Sequence, residues 1–400
     1  MKALTLDHIF YYSALAFAFT FPLSRAAVSF FILWFVVLFL IRNDWLGAWA
    51  QIKTNRVFKA MGVFIALLAL SILWSDDKAN ALNQIRLYSY WIVIPILAVS
   101  LKREWLPNLI TAFLMGMFVS EVLAYGIYFE LWSINGRTPD YPSPFMSHIH
   151  YSVFLAVTAV ILLSRLLSKR YTWHNKLPML IFFLTSTVNL MLSTGRTGQL
   201  AFIIAMAVAV VIHYRLTFRS LAIFGTLSSL LLVGAYSTID LFKIRIDKGI
   251  EDIRHLQEGN FGTSWGLRAA FWIVTGDILR EHPLIGAGIG DYKAAAAAAL
   301  AKENHGFGHG TIQWCTTSHF HNQYLMILAQ IGLVGFALML WLLVELFRLR
   351  IVDPELREFS ILGFTVFVVA CIAEPLWMLQ FPIILFVFIA GISIAATKRL

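Results

Sequence analysis

The chain has 400 residues, of which 59% are hydrophobic and only 13% charged, with a mean hydropathy of +0.75. That balance excludes an ordinary water-soluble globule. The net charge of +9 comes from basic residues dispersed over many short connections, which excludes a nucleic-acid footprint, where they would cluster on one face. The only cysteines, Cys315 and Cys371, are too few for a disulfide framework.

A helix crossing a bilayer needs roughly 20 mainly apolar residues. The sequence predicts twelve such stretches: 8–24, 26–42, 58–75, 86–101, 107–130, 149–165, 177–193, 197–214, 220–237, 321–347, 358–376 and 380–396. The first has no small-residue cleavage site and is read as a retained span. The predicted fold class is an all-α integral membrane protein of about 12 transmembrane helices, with a large helical loop between spans 9 and 10. Residues 1–237 supply spans 1–9, 238–320 the loop and 321–400 spans 10–12, together one membrane-embedded domain.

With the N-terminus inside, every inner segment is basic, as the positive-inside rule requires. These segments hold Lys2; Arg42, Lys53, Arg56 and Lys59; Lys102 and Arg103; Arg165, Lys169, Arg170 and Lys176; Arg215 and Arg219; Arg348, Arg350 and Arg357; and Lys398 and Arg399. Both termini are then cytoplasmic and the long loop lies on the outer face.

Inside that loop, residues 240–256 alternate apolar and charged positions at helical spacing. Thr263 and Ser264 can cap a helix reaching Arg280, ended by His282-Pro283 and the glycines 286, 288 and 290. Residues 291–304 are strongly helix-forming, and 305–310 (HGFGHG) read as a mobile segment. The glycine series lacks the preceding strand and following lysine of a phosphate loop. A second outer loop, 131–148, is rich in proline and polar residues. No long internal repeat is present, which argues against an inverted-repeat transporter.

Candidate chemistry collects at the outer rim. Arg196 stands in the glycine-flanked turn STGRTGQLAF at the start of a span, where exposed backbone N–H groups and a guanidinium suit an anion. Snorkelling to the interface is its bland role. Arg268 lies on the loop helix one turn from Ser264 and Trp272, and is otherwise a surface charge. Lys78, Arg86 and Arg137 are further outer-face cations that can join a phosphate site. His321 and Asn322 open the tenth span. The positive end of a helix dipole disfavours an imidazolium there, which suits a general base, and Asn322 can orient the ring or a substrate hydroxyl. Gly332 and Gly335 fit close helix packing. Metal is the competing use of histidine, through His319-x-His321, His148-x-His150 or His305/His309, but no supporting carboxylate motif accompanies them. Glu121 and Glu374 fall within predicted spans, where a carboxylate is costly unless paired or in a proton relay.

These motifs resemble a known family. The pattern His-Asn-x9-Gly-x-x-Gly at 321–335, after a long outer loop, is similar to the signature of bacterial O-antigen ligases. Arg-x-x-x-Leu at 196–200 resembles their second motif. Ser264, Arg268, Trp272 and His282-Pro283-Leu284-x-Gly286-x-Gly288 look like the wider O-antigen ligase/polymerase superfamily. The resemblance implies an inner-membrane glycosyltransferase working on the periplasmic side without metal or other cofactor. It would move O-antigen from undecaprenyl diphosphate onto a sugar hydroxyl of lipid A–core. His321 would be the base, and Arg196 and Arg268 would hold the diphosphate. An O-antigen polymerase is the nearest alternative, and a protein O-oligosaccharyltransferase lacks its large C-terminal region here. A lipid or polysaccharide transporter would carry its polar groups near mid-membrane. A scaffold leaves the Arg196 turn and the His-Asn motif without a reason.

Overall fold

The computed structural model describes residues 5–397; Lys2, Lys398 and Arg399, assigned above to the inner face, lie outside the described residues. Those residues form helices and turns without a strand. In chain order the helices are α1 (Leu6–Thr20), α2 (Arg25–Arg42), α3 (Trp45–Thr54), α4 (Arg56–Leu70), α5 (Lys78–Tyr88), α6 (Val93–Ser100), α7 (Leu106–Tyr128), α8 (His148–Leu167) and α9 (Trp173–Leu192). They continue with α10 (Arg196–Tyr214), α11 (Phe218–Thr238), α12 (Asp240–Gln257), α13 (Ser264–Glu281), α14 (Tyr292–Lys302), α15 (His309–Thr317), α16 (Gln323–Phe347), α17 (Pro354–Ala370) and α18 (Gln380–Ala395).

Eight helical stretches are long and apolar enough to cross a membrane: α2, α5 through α6, α7 with its preceding turn, α8, α9, α10, α11 and α16. The other four predicted spans are also helices, but α1, α4, α17 and α18 have 15, 15, 17 and 16 residues, short of that length. Polar residues fix many of the starts. Ser24, Ser147, Thr263 and Asp353 each accept a backbone N–H of the first turn, and Pro354 follows Asp353 at the first helical position. The expected Thr263 cap is thus present.

The apolar centre is built on α8 and α18. α8 packs on α9, α10 and α17, while α18 packs on α2, α6 and α17. Both are buried on nearly every side, as helices hydrophobic all round must be. Trp91, Trp377, Phe64 and Phe386 interlock beside them, with ring centroids 5.0–5.9 Å apart in their contacting pairs.

The long loop forms a second, smaller core. Phe271 of α13 stacks on Phe320 at 5.1 Å and Tyr292 of α14 meets Phe320 edge-on at 5.5 Å, over Leu325, Met326 and Ala329 of α16. The tenth predicted span is not one continuous helix. Ile331 and Gly332 leave helical geometry, Gly332 with φ +65°, and the segment 283–288 enters the break. Ala287 and Gly288 donate to the carbonyls of Ala329 and Gln330, and Leu333 and Val334 donate to those of Pro283 and Leu284. This buried non-helical backbone is tolerated because protein supplies its hydrogen bonds. A Cβ on Gly332 or Gly286 would lie 2.5 Å from backbone of the other segment. Gly332 therefore serves a close approach, but of a loop, and not the helix–helix packing expected from its spacing. Asp291 completes the anchor by accepting from the N–H groups of Asp76 and Asp77. The loop layer is thereby tied by backbone to the helix that begins beside His321.

Candidate active site

A cavity of about 530 Å³ opens where the loop layer meets the starts of α8, α10 and α16. Arg196, Arg245, Lys248 and Arg268 line it, and no lining residue is acidic. Arg196 is the first residue of α10 and half-buried. Gly249 of α12 makes room for it, since a Cβ there would stand 3.3 Å from Arg196 Nη1. Arg268 Nη1 donates to the carbonyl (2.9 Å) and hydroxyl (2.7 Å) of Ser264, which aims the guanidinium along α13. Arg245 of α12 donates to the Tyr141 hydroxyl at 3.3 Å. Among the described residues none of these four cations is in an ion pair. Burial pulls the Arg268 pKa below the ordinary arginine value, opposed by the charges of Glu374 and Asp252; an arginine starts so high that it stays cationic.

His321 sits at one edge of this cavity, directly before the cap of α16. The Asn322 side chain accepts from the N–H groups of Tyr324 (2.8 Å) and Leu325 (3.2 Å). That capping engages the amide oxygen, so Asn322 orients the helix start on which His321 rides. His321 Nδ1 lies 2.9 Å from Glu374 Oε2. Glu374 follows the end of α17, outside the helix that was predicted to contain it. Two bonds hold that turn against α16: Gln323 N–H donates to the Cys371 carbonyl (2.8 Å) and Trp377 N–H to Gln323 Oε1 (2.9 Å). Burial alone would raise the Glu374 pKa, but the hydrogen bond from His321 and the charges of His321, His319 and His150 bring it below the usual carboxylate value. An ionised carboxylate at Nδ1 holds the ring proton there and leaves Nε2, which has no hydrogen-bond partner among the described residues, as the basic nitrogen. Phe271, Trp314 and His319 surround the ring, with centroids 6.0, 6.2 and 4.4 Å away.

Of the sequence-predicted residues, the structure brings Arg196, Arg268, His321 and Asn322 into one cavity. Lys78, Arg86 and Arg137 do not line it. Lys78 donates to the carbonyls of Ile72 and Leu73, Arg86 is exposed on α5, and Arg137 donates to the Met146 carbonyl. The reason given for the Arg196 turn also changes. A Cβ on Gly195 or Gly198 would lie 2.3 Å or less from Ser152 of α8, and the N–H groups of Gly195 and Gly198 donate to Ser193 and Ser152 hydroxyls. Those glycines let α10 pack on α8 instead of presenting backbone to an anion. Arg245 and Lys248 were not singled out, and Glu374 was named only as a carboxylate needing a partner or a relay. The signal for Glu374 was its cost in a span, but nothing in the sequence names its partner. α3 and α15 were likewise not foreseen.

His319, His321 and Glu374 can also be read as a ligand set, since one atom from each falls within 4.8 Å of the others. The same three groups support a carboxylate–imidazole pair with a packed neighbouring ring. Glu121, the other carboxylate in a predicted span, accepts from the Ser186 hydroxyl at 2.6 Å, a buried pairing away from the cavity.

Residues 181–340 match the family model described as O-Antigen ligase, a range that contains Arg196, Arg268, His321 and Asn322 and stops before Glu374. The search of curated proteins found no match.

Proposed function

The chain belongs to the O-antigen ligase/polymerase superfamily through residues 181–340, and on that premise we propose that it is an O-antigen ligase. The donor is O-antigen on undecaprenyl diphosphate and the acceptor is a sugar hydroxyl of lipid A–core. The observation that carries this reading is a cavity with four cations and no carboxylate, edged by a histidine whose Nε2 is free. Nε2 of His321 takes the proton of the acceptor hydroxyl as its oxygen attacks the anomeric carbon. The bond from that carbon to the diphosphate oxygen breaks, and undecaprenyl diphosphate leaves. Negative charge gathers on the diphosphate as the bond lengthens, so Arg196 and Arg268 stabilise the transition state more than the ground state. Glu374 positions the ring and balances the imidazolium that forms. Direct attack with one base inverts the anomeric centre; a product whose NMR couplings report retention would remove this step.

In the bilayer the twelve helices are proposed as spans of the inner membrane with both termini cytoplasmic, so that the cavity faces the periplasm. The loop layer and cavity lie at the ends of α8 and α10 opposite Arg165 and His213, in keeping with the basic connections at the other side. The decisive experiment uses purified protein, undecaprenyl-diphosphate-linked O-antigen and lipid A–core. Glycosylated lipid A–core is the expected product. Lengthened donor glycan with untouched core would make the chain a polymerase, and no transfer with flux of donor across vesicles would make it a transporter.

A further inference from the structure

Beside the His321 cavity a second groove, of about 430 Å³, opens between the turn 259–262 and the segment 306–311. Five glycines line it: Gly259, Gly262, Gly306, Gly308 and Gly310. A positive φ accounts for Gly259 (+79°) and Gly306 (+72°). Gly308 and Gly310 have no such φ, and a Cβ on either would meet nothing within 4 Å. Gly308 is the N-cap of α15, a position that glycine suits, but neither chain geometry nor packing requires Gly310. Gly310 even weakens the first turn of α15, where alanine would be the better helix former. What bare backbone leaves at these positions is room for a visitor, with peptide groups exposed to it.

The rest of the lining states what kind of visitor. It carries no charged residue; Asn260 and Thr311 are polar, while Phe261 and Trp314 are aromatic. Trp314 stands four residues after Gly310, on the same face of α15, and is 46% exposed. An exposed aromatic ring beside peptide groups, without charge, suits a neutral molecule with one apolar face and many hydroxyls. A pyranose ring fits that description, whereas the diphosphate belongs in the cationic cavity. The Trp314 ring also lies 6.2 Å from the His321 ring, so the groove leads to the proposed base.

We propose that this groove binds the acceptor glycan, with Trp314 as the platform for the sugar next to the reacting hydroxyl. The proposal rests on His321 being the base of a glycosyl transfer. Its test uses the full-length protein in nanodiscs, with Gly310→Leu to fill the groove, Trp314→Ala to remove the platform and Trp314→Phe to restore a ring. Two readouts are taken: saturation-transfer NMR of core oligosaccharide freed of lipid, without donor, and transfer kinetics with each substrate varied. Gly310→Leu and Trp314→Ala are expected to raise the acceptor KM about tenfold or more and to weaken oligosaccharide binding equally, the size of a lost aromatic contact. Donor KM stays near the wild-type value, and Trp314→Phe recovers most of the loss. Unchanged oligosaccharide binding and acceptor KM in both variants would overturn the groove while leaving the reading of His321 intact. A wild-type protein that binds oligosaccharide, loses it in both variants and transfers nothing would keep the groove and remove that reading. No binding by the wild-type protein overturns the groove in either case.

Discussion

At the end of α8 that meets α17, Arg165 Nε lies 2.8 Å from Glu355 Oε1, Tyr171 donates to the same carboxylate at 2.7 Å, and Arg170 adds a second cation at 3.2 Å. Glu358 accepts from Ser164 and pairs with His213 at 3.1 Å. At the other end of the same helix His148 faces a cavity lined by four cations and no carboxylate. Of the acids whose charge reaches its arginines, Glu374 is taken by His321 and Asp252 forms no ion pair with them. Desolvated charge is costly, and a fold that only needed stability would pair it. The Arg165 cluster pairs its carboxylates within the chain; the cavity at the other end leaves cations that an incoming anion must satisfy. Unbalanced charge of one sign around a cavity, and not buried charge as such, separates a site from a structural clasp.

The largest expected effect breaks the comparison at the cavity end. His321→Ala should lower transfer per folded protein about 10³-fold, the usual contribution of a positioned base, with unchanged donor binding. Because it leaves the buried Glu374 without its imidazole, its melting temperature should also fall, and rates are normalised to folded protein. A variant that ligates normally would remove His321 from the mechanism. Next come Arg196→Ala and Arg268→Ala, each expected to lower kcat by about 10²-fold, as removal of one transition-state donor does. Lysine at either position should recover only part of the rate, since an ammonium cannot match two oxygens with a planar fork. Equal loss of donor binding and rate would mean that these arginines hold the ground state only.

Glu374→Gln tests the carboxylate that positions the base. Transfer should fall about 10- to 100-fold, the range for removing a carboxylate partner of a functional histidine. The variant also has a pH signature. Because the folded pKa of Glu374 is below its unfolded value of about 4.3, its stabilisation is fully present above that value and is lost as pH falls through the folded one. The gap in melting temperature between wild type and Glu374→Gln should therefore be widest near neutrality and close on acidification. A gap independent of pH would mean that the carboxylate only fills space.

At the Arg165 end the expectation reverses. Arg165→Ala takes the buried cation from Glu355, which is 9% exposed at its side chain and keeps Arg170 and Tyr171, and should cost about 3 kcal/mol of stability or less, the lower end for a broken buried pair. The folded fraction should transfer at the wild-type rate, as read from melting curves and rates normalised to folded protein. A rate loss beyond the unfolded fraction would mean that the two ends are coupled.

The helices were legible because long apolar runs and polar caps act locally, and each predicted span coincides with helix. The break in α16 was not. Gly332 lies in an apolar run that reads as unbroken, and its conformation exists because residues 283–288 dock there. The site divides along the same line. Arg196, Arg268 and His321 stood out by residue type at helix starts or loop-helix faces. The Arg196 turn drew notice for the wrong reason, its glycines serving contact with α8. Glu374 was seen as an expensive carboxylate, but its partner is set by the turn after α17, a tertiary fact. Arg245 and Lys248 sit in a helix of alternating charge where no single residue is distinguished.

The smallest expected effect decides between two readings of one cluster. If His319, His321 and Glu374 held a catalytic metal, His319→Gln would remove one of three ligands, chelator would inactivate the enzyme, and the variant would resemble His321→Ala. The geometry favours a hydrogen-bonded pair with a spectator ring: His321 Nδ1 is 2.9 Å from the carboxylate, whereas His319 Nε2 stands off at 3.8 Å. Burial also pulls the His319 pKa below the ordinary histidine value, against the charge of Glu374. His319→Gln and exhaustive EDTA treatment should each leave transfer within about twofold of wild type, well short of the loss expected for a base. A loss of activity on chelation, restored by added divalent ion and mimicked by His319→Gln, would replace the base with a metal centre and make Glu374 its ligand.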